Sequence, residues 1–254
     1  MDRVSSSGEE RTLLARVLDK YEQMERRNIP TATVFLSEAE QAAAQRLLNA
    51  AGIMSGYVFN GGYEGAARKI LQFLPDWAEE DESALGVVKA VYRGEDAPDH
   101  RACLGSLMGL GIVREKLGDI LITPDFCQVI AAADIVPFLL QNWTSAGRIH
   151  LMTEEITLGD LVVPEQQFKV IKDTVMSLRL DAVTSTGFSI SRTKAAELIG
   201  AGRVQLNHTE CTKSDRSLTE GDVITARGYG KCILAEVGGL SKKGRTAIVV
   251  KRYL

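Results

Sequence analysis

The sequence has few of the residues that build metal centres, disulfide frameworks or membrane spans. It holds three histidines and four cysteines, Cys103, Cys127, Cys211 and Cys232, and no CxxC pair. A zinc site or a disulfide framework needs denser spacing, so we expect reduced, structural cysteines and no metal. No apolar run approaches the ~20 residues of a membrane helix, and the N-terminus lacks the apolar segment of a secretory signal. We therefore expect a cytoplasmic protein without membrane association.

Sequence motifs for nucleotide binding are also missing. The glycines between residues 105 and 118 form neither GxxxxGK[ST] nor GxGxxG, the two patterns in which glycines let the backbone approach phosphates. We therefore expect no cofactor and no small-molecule substrate.

Charge is distributed unevenly along a chain whose formal net charge is −3. Residues 179–254 hold 13 Lys and Arg against 7 Asp and Glu, a balance of +6, and the remainder carries a balance of −9. A basic end on an acidic chain is typical of a surface that binds a polyanion. The plain alternative is a lysine-rich solvated surface, and charge alone does not separate the two.

The first 76 residues alternate between helical and extended patterns. The predicted elements are a helix over 9–28, a strand over Ala32–Leu36, a helix beginning at Ser37, a strand over 56–60 and a helix over 64–74. Ser37 followed by Glu40 has the spacing of a capping box. Pro75 and the acidic run DWAEEDES mark a boundary, which predicts an N-terminal α/β domain over residues 1–76.

The next segment has the order β-α-β-β-α-β. Its predicted elements are Leu85–Tyr92, Asp99–Gly109, Asp119–Thr123, Cys127–Ala131, Ile135–Trp143 and Ile149–Glu155. This order is typical of the ferredoxin-like fold, which RNA-recognition domains share. Their aromatic stacking signature is missing from the sequence. We predict a ferredoxin-like, RRM-like domain over residues 82–165 as a candidate RNA-binding domain.

Residues 156–176 are predicted to link this segment to a last domain over residues 177–254. The signals in that domain are a first helical stretch around Leu180, an N-cap at Ser191, glycines at 200 and 202, a strand over Arg203–Leu206, a turn at Asn207–His208 and a strand at Val223–Ile224. Ser191 is a favoured capping residue, and the glycines end the helix that it begins. Together the three segments predict an α+β chain.

Cations around this helix and hairpin are candidates for RNA binding. Helix N-termini attract phosphates, and arginine pairs with phosphate in bidentate fashion. We expect Arg192, Lys194, Arg203, Lys213 and Lys231 to cluster on one surface, and we assign the first four to phosphates. Asn207 either shapes the hairpin or reaches a sugar. The complete candidate set is Arg179, Ser191, Arg192, Lys194, Arg203, Asn207, Lys213, Tyr229 and Lys231, of which Tyr229 either stacks on a base or is a turn aromatic.

The strings RLD, SRTKAAELI, GRVQLN and LTEGDVI carry a resemblance to a known domain. Over Arg179–Leu234 the chain resembles the RNA-binding domain named after small-subunit ribosomal protein S-four. That domain recurs in pseudouridine synthases, tyrosyl-tRNA synthetases and RNA methyltransferases. The resemblance therefore implies an S-four-type (alpha-L) fold and RNA binding, without specifying a pathway.

Two further strings, YVFNGGYEGAARKI (57–70) and HRACLGSLMGLGIVREKLGDILI (100–122), resemble the YlmH/RqcP family. This resemblance extends over nearly the whole chain. It implies a protein that binds the large ribosomal subunit in ribosome-associated quality control and supports alanine tailing of stalled chains. The implied partners are rRNA and tRNA. Arg114 and Lys116 then become candidate rRNA contacts, unless Glu115 and Asp119 pair with them.

An enzymatic alternative comes from RLDAVTSTG (179–187), which is similar to a string of the pseudouridine synthases, where the aspartate is the nucleophile. Only 73 residues follow Asp181, and the binding module occupies most of them. We therefore expect Asp181 to be a solvated or helix-stabilising carboxylate, with no catalytic residues and no enzyme activity. A pseudouridine synthase-like enzyme and a photosystem II assembly-related member of the same family remain the alternatives.

Overall fold

The computed structural model describes residues 8–80, 82–92, 97–241 and 244–253. The chain divides into two compact units, residues 1–164 and residues 165–254. Helices and strands occur in both, which confirms the predicted α+β class. In the described ranges, none of the helices has the length and apolar character needed to cross a membrane.

The first unit opens with a small sheet and two helices. These elements are α1 (Gly8–Arg27), β1 (Thr31–Ala32), α2 (Glu38–Ala50), β2 (Tyr57–Asn60) and β3 (Ile70–Phe73). β3 lies between β1 and β2 and pairs antiparallel with both. The predicted capping box of α2 is confirmed, because the Ser37 amide donates to the Glu40 carboxylate at 2.6 Å and the Ser37 hydroxyl accepts from the Glu40 amide.

The predicted helix over 64–74 is wrong. Ile70–Phe73 forms β3 with all four residues buried, and a loop precedes it. The pattern of a short apolar run cannot distinguish a strand from a buried helix. Here the pairing of β3 with β1 and β2 makes the segment a strand. The strand predicted over Ala32–Leu36 is also shorter than expected: it is reduced to β1 and an isolated bridge between Leu36 and Lys69.

The ferredoxin-like arrangement of the middle segment is confirmed. Its elements are β4 (Leu85–Tyr92), α3 (His100–Gly109), β5 (Leu117–Ile122), β6 (Phe126–Ala132), α4 (Val136–Asn142), β7 (Ser145–Ala146) and β8 (Ile149–Ile156). The antiparallel sheet has the order β5-β6-β4-β8-β7. Leu107 of α3 and Leu139 of α4 pack with Val88 and Val129 in the core on one side of this sheet.

The other side of this sheet is partly covered. Phe35, Val87 and Ile130 belong to one buried cluster, which contains residues of the small sheet's segment. The Gln128 amide donates to the Val162 carbonyl at 2.8 Å and accepts from the Val162 amide at 3.0 Å. RNA-recognition domains stack bases on this surface. Much of that surface is engaged within the unit, which agrees with the missing aromatic signature.

Asp119 joins the loop after β2 to β5. Its carboxylate accepts hydrogen bonds from the Tyr63 hydroxyl at 2.8 Å and from the amides of Ala67 and Arg68 at 2.6 and 3.0 Å. The Arg68 guanidinium donates to the Leu117 carbonyl at 2.9 Å. Burial raises the pKa of Tyr63, and the Asp119 carboxylate raises it further. The two strings that carry the YlmH/RqcP resemblance therefore meet at this carboxylate.

The charged loop REKLGD makes internal contacts. Arg114 donates to two carbonyls of its own loop at 2.7 and 3.1 Å, and burial lowers its pKa. Lys116 pairs with Asp134 rather than with Glu115 or Asp119. A Cβ at Gly118 would lie 2.7 Å from a ring carbon of Phe35, so a larger residue would displace β5. These contacts make the loop a structural junction.

The second unit contains a six-stranded sheet and two helices. Its elements are β9 (Phe168–Val175), α5 (Leu180–Phe188), α6 (Arg192–Gly200), β10 (Val204–Leu206), β11 (Thr209–Glu210), β12 (Val223–Ala226), β13 (Gly230–Leu240) and β14 (Thr246–Tyr253). The sheet order is β11-β10-β12-β13-β14-β9. Leu180, Val183 and Ile199 from the helices pack with Leu234 and Val250 of the sheet.

β9 shows that part of the expected link is structured. It pairs with β14 along its whole length, from Phe168 opposite Tyr253 to Val175 opposite Thr246. The second unit therefore begins ahead of residue 177. The division into three domains at 1–76, 82–165 and 177–254 stays a prediction, and the described contacts place the first two segments in one unit.

We predict that Asp119→Ala lowers the free energy of unfolding by about 2–3 kcal/mol, because one hydroxyl and two backbone amides lose their charged acceptor. Urea denaturation followed by circular dichroism measures the change. Asp134→Ala is the matched control, since the Asp134 side chain is 63% exposed and its ion pair is worth at most about 1 kcal/mol. Equal effects of the two substitutions would contradict the junction.

Candidate nucleic-acid interface

A tight elbow fixes the angle between α5 and α6. Ser189 follows α5 in the left-handed conformation, with φ of 54°. The Ser185 hydroxyl donates to the Ile190 carbonyl at 2.6 Å. Ser191 then caps α6, and its hydroxyl accepts from the Lys194 amide at 3.1 Å. This elbow places the positive end of the α6 dipole directly after the end of α5, and from there the Arg192 side chain reaches back to Asp181 in the first turn of α5.

Asp181 is the centre of this region. It is only 5% exposed, and its carboxylate accepts hydrogen bonds from Nε and Nη2 of both Arg179 and Arg192, each at 3.2 Å. The two arginine side chains are 39% and 53% exposed. Of the two expected roles of Asp181, burial excludes a solvated carboxylate, whereas its position in the first turn of α5 fits a helix-stabilising one. The two guanidiniums are therefore held beside each other at one buried acid, and Asp215 also acts electrostatically on Arg179.

The ionisation of Asp181 follows from its partners. Burial by itself would raise the pKa of this carboxyl, but the hydrogen bonds from Arg179 and Arg192 outweigh burial and hold its pKa below the ordinary value. The hydrogen bond to Asp181 in turn raises the pKa of Arg179. The group is therefore charged at neutral pH and fixes the orientation of both guanidiniums.

A loop before β12 lies against the same region. The amides of Leu180 and Asp181 donate to the carbonyls of Arg216 and Ser214 at 2.8 and 3.0 Å. This pairing brings exposed Lys213 to the start of α5. Arg179, Ser191, Arg192 and Lys213 thus belong to one region, which we call the helix-pair site.

Lys194 and Arg203 differ from the expected arrangement. Lys194 lies in the first turn of α6, but its ammonium pairs with Glu197 at 3.1 Å. Arg203 lies beyond the other end of α6, and a helix of nine residues is about 13 Å long. Its guanidinium donates to the Arg227 carbonyl at 3.1 Å. Arg192, Lys194 and Arg203 therefore do not form a single cluster, because Lys194 pairs with Glu197 and Arg203 contacts a carbonyl beyond the far end of α6.

Asn207 shapes the hairpin between β10 and β11. Asn207 and His208 have φ of 48° and 64°, a turn conformation in which Asn is favoured. The Asn207 side chain donates to Asp222 at 2.8 Å and accepts from the Val223 amide at 2.9 Å. Of the two expected roles, these contacts favour the structural one.

Tyr229 and Lys231 lie near the start of β13. Tyr229 is half-buried, with its ring 6.1 Å from that of Phe188. Lys231 lies over the ring of Tyr253 at 5.1 Å. Arg252, which the sequence analysis did not single out, lies over Phe188 and donates to the Tyr229 carbonyl. The adjacent basic residues Lys251 and Arg252 at the end of an apolar run were the available signal for it.

The described residues contain no group of three or more His, Cys, Asp or Glu side chains placed to hold a metal ion. Cys103 and Cys127 are both buried, with their sulfur atoms 3.8 Å apart.

Two family models match the chain. The model described as "Putative RNA-binding domain in YlmH" matches residues 96–160, and the S4 domain matches residues 178–224. The second match contains α5, α6 and the helix-pair site. This agrees with the resemblance to the S-four-type domain inferred from RLD and SRTKAAELI.

A curated relative and a solved structure extend these matches. The structure named "Cell division protein ylmH from Streptococcus pneumoniae" shares the fold with a TM-score of 0.52 and 18% identity, over 64% of this chain and 99% of that one. The "Ribosome-associated protein quality control protein P2" of Bacillus subtilis (strain 168) is 34% identical over 87% of this chain and 86% of its own length. At this identity and coverage, and with both domain models in order, the chain belongs to the YlmH/RqcP family.

Proposed function

We propose that this protein binds rRNA and tRNA on the large ribosomal subunit and acts in ribosome-associated quality control of stalled nascent chains. The observation that carries the proposal is the pair of guanidiniums of Arg179 and Arg192, fixed beside the N-terminus of α6 by one buried carboxylate. The name of the Bacillus subtilis relative supports the process. A ribosome-bound role is consistent with the cytoplasm as the site of action.

The geometry of the helix-pair site suits folded RNA. Each guanidinium has five N–H donors, and Asp181 engages Nε and Nη2 of each. The other donors can bind phosphate oxygens in a fixed direction, so less side-chain entropy is lost on binding. Structured RNA presents phosphates at defined spacings, and a rigid pair of cations can match such a spacing.

The remaining candidates have supporting roles in this proposal. Ser191 caps α6 and so fixes where the positive end of the helix begins, and Lys213 adds a cation from the neighbouring loop. Lys194 can exchange Glu197 for a phosphate, since exposed ion pairs are weak. Arg203 extends the basic surface beyond the far end of α6, and Asn207 holds the hairpin in shape. Tyr229 and Lys231 are peripheral.

The chain acts by binding rather than by catalysis. A pseudouridine synthase needs an aspartate that reaches its substrate, whereas both oxygens of Asp181 accept from guanidiniums and the residue is almost fully buried. The names of the matching families and of the curated relative also support RNA binding in quality control over an RNA-modifying enzyme or a photosystem II assembly factor.

We expect Arg192→Gln to weaken association with purified large ribosomal subunits and to lower the slope of log affinity against log salt by about 1, because one phosphate contact is lost. Arg192→Lys keeps the charge and therefore the slope, but loses affinity since an ammonium lacks the planar fork. Sedimentation at a series of salt concentrations measures both quantities.

Arg16→Gln is the matched control for charge, since Arg16 is exposed and lies in α1, outside the residues that match the two RNA-binding domain models. It should leave sedimentation unchanged. A wild-type protein that stays at the top of the gradient at low salt would refute large-subunit binding, and an unchanged Arg192→Gln variant would refute the helix-pair site.

Asp181→Asn should destabilise the second unit by about 1–2 kcal/mol, a value reduced by the exposure of both arginines. Because the folded-state pKa of Asp181 lies below its ordinary value of 3.8, its stabilisation is present above that value and disappears as pH falls through the lower folded-state pKa. Urea titrations between pH 7 and 3 should therefore show the difference between wild type and variant shrinking at the acid end. A difference that grows with acidity would contradict this linkage.

A further inference from the structure

The sheet of the second unit has a basic and aromatic surface on the side away from its helices. Alternate residues of a strand point to opposite faces. Ile171, Val250 and Leu234 are cross-strand neighbours that pack in the core. Their sequence neighbours therefore lie on the other face, which we call the outer sheet face. Its members in β9, β14 and β13 are Phe168, Val170, Lys172, Val249, Lys251, Tyr253, Lys231 and Ile233.

Two aromatic rings and two lysines lie together at one corner of the outer sheet face, where β9 begins and β14 ends. The rings of Phe168 and Tyr253 are 4.8 Å apart in an edge-to-face arrangement. Lys251 lies 5.9 Å from the Phe168 ring, and Lys231 lies 5.1 Å from the Tyr253 ring. Phe168 is 36% exposed and Val170 is 52% exposed. Aromatic and cationic groups are therefore presented together in this region.

Among the described strand residues, the acidic side chains on the outer sheet face lie far from the ring pair. Glu236 pairs with Val249, four residues along β14 from Tyr253, a distance of about 13 Å at strand spacing. Glu210 belongs to β11, at the opposite edge of the sheet from Phe168. The corner that holds the two rings and the two lysines is therefore complementary to a negatively charged ligand.

We propose that the outer sheet face binds unpaired nucleotides of single-stranded RNA, with bases stacked on Phe168 and Tyr253 and phosphates bound by Lys231 and Lys251. Lysine is depleted in protein–protein interfaces, which disfavours a protein partner for a patch that has lysines at its centre. Base faces become available only where RNA is unpaired. The choice of RNA over DNA rests on the proposed function.

This surface is separate from the helix-pair site. The helices pack on the core face of the sheet, through Leu180 and Val183 among others, so the two surfaces lie on opposite faces. β9, β13 and β14 also fall outside residues 178–224, which match the S4 domain. One RNA can reach both surfaces only with different nucleotides. A folded segment would bind the helix-pair site, and an unpaired segment would bind the outer sheet face.

The test is the affinity of the full chain for a labelled oligouridylate of about eight nucleotides, within the range that one stacking surface covers. The double variant Phe168→Ile, Tyr253→Ile removes the rings but keeps β-branched apolar side chains. We expect its affinity to fall roughly tenfold or more, since each stacked base contributes substantially. Val170→Thr is the matched control on the same strand and face, and should change affinity less than about twofold since it removes no ring.

Circular dichroism and the urea midpoint establish that the variants fold. Arg192→Gln should weaken large-subunit binding and leave oligouridylate affinity intact, which separates this proposal from the proposed function. A wild type that does not bind oligouridylate, or a double variant that binds it as tightly, overturns the outer-face proposal and leaves the helix-pair site standing. Loss of self-association in the double variant at unchanged RNA affinity would assign the face to a second copy of the chain, and would also overturn it.

Discussion

The ion triad of the second unit depends on one buried carboxylate. Removing a charged carboxylate from water costs several kcal/mol unless charged partners replace the solvent, and Asp181 has Arg179 and Arg192 as those partners. The arrangement constrains all three groups. If either arginine turned outward, Asp181 would lose one of the two cations that offset the cost of its burial. Both guanidiniums are therefore held close to the elbow that precedes α6. In the proposed function, the RNA-binding surface is thereby ordered by a buried acid whose two oxygens are engaged by the arginines themselves.

The first unit uses the same physical device for a different purpose. Asp119 accepts one hydroxyl and two amides from the loop after β2, while Arg68 and Arg114 donate mainly to backbone carbonyls. Here the charged side chains form hydrogen bonds with backbone amides of the loop after β2 and with backbone carbonyls at the start of β5. Buried polar groups require such partners. The result is a join between two sheets. A charged string that resembles a family can therefore belong to a binding surface, as proposed for Asp181, or to a structural junction, as at Asp119. Only the contacts in the folded structure distinguish the two cases.

The sequence predicted elements whose determinants are local. The capping box at Ser37, the cap at Ser191 and the β-α-β-β-α-β order all depend on residues a few positions apart. Residues 64–74 and 168–175 were missed because their state depends on distant partners: β3 is fixed by β1 and β2, and β9 by β14. Both segments contain apolar residues at spacings that fit more than one element. Intrinsic strand propensity decides little where a segment can pair with strands about 40 to 85 residues away.

The same distinction applies to charge. A balance of +6 over the last 76 residues suggested one cationic cluster. A charge count does not show which cations already have a partner within the protein. In the structure Lys194 is adjacent to Glu197, Arg203 is bound to a carbonyl, and Lys231 lies against an aromatic ring. What decides whether a cation can bind phosphate is the cost of releasing its present partner. That cost is small for an exposed lysine–glutamate pair and large for the triad around Asp181. The strongest phosphate site in such a domain is therefore one whose arginines can bind phosphate without breaking their ion pair. The acid accepts hydrogen bonds from some of the N–H groups of each guanidinium and leaves the other N–H groups directed outward.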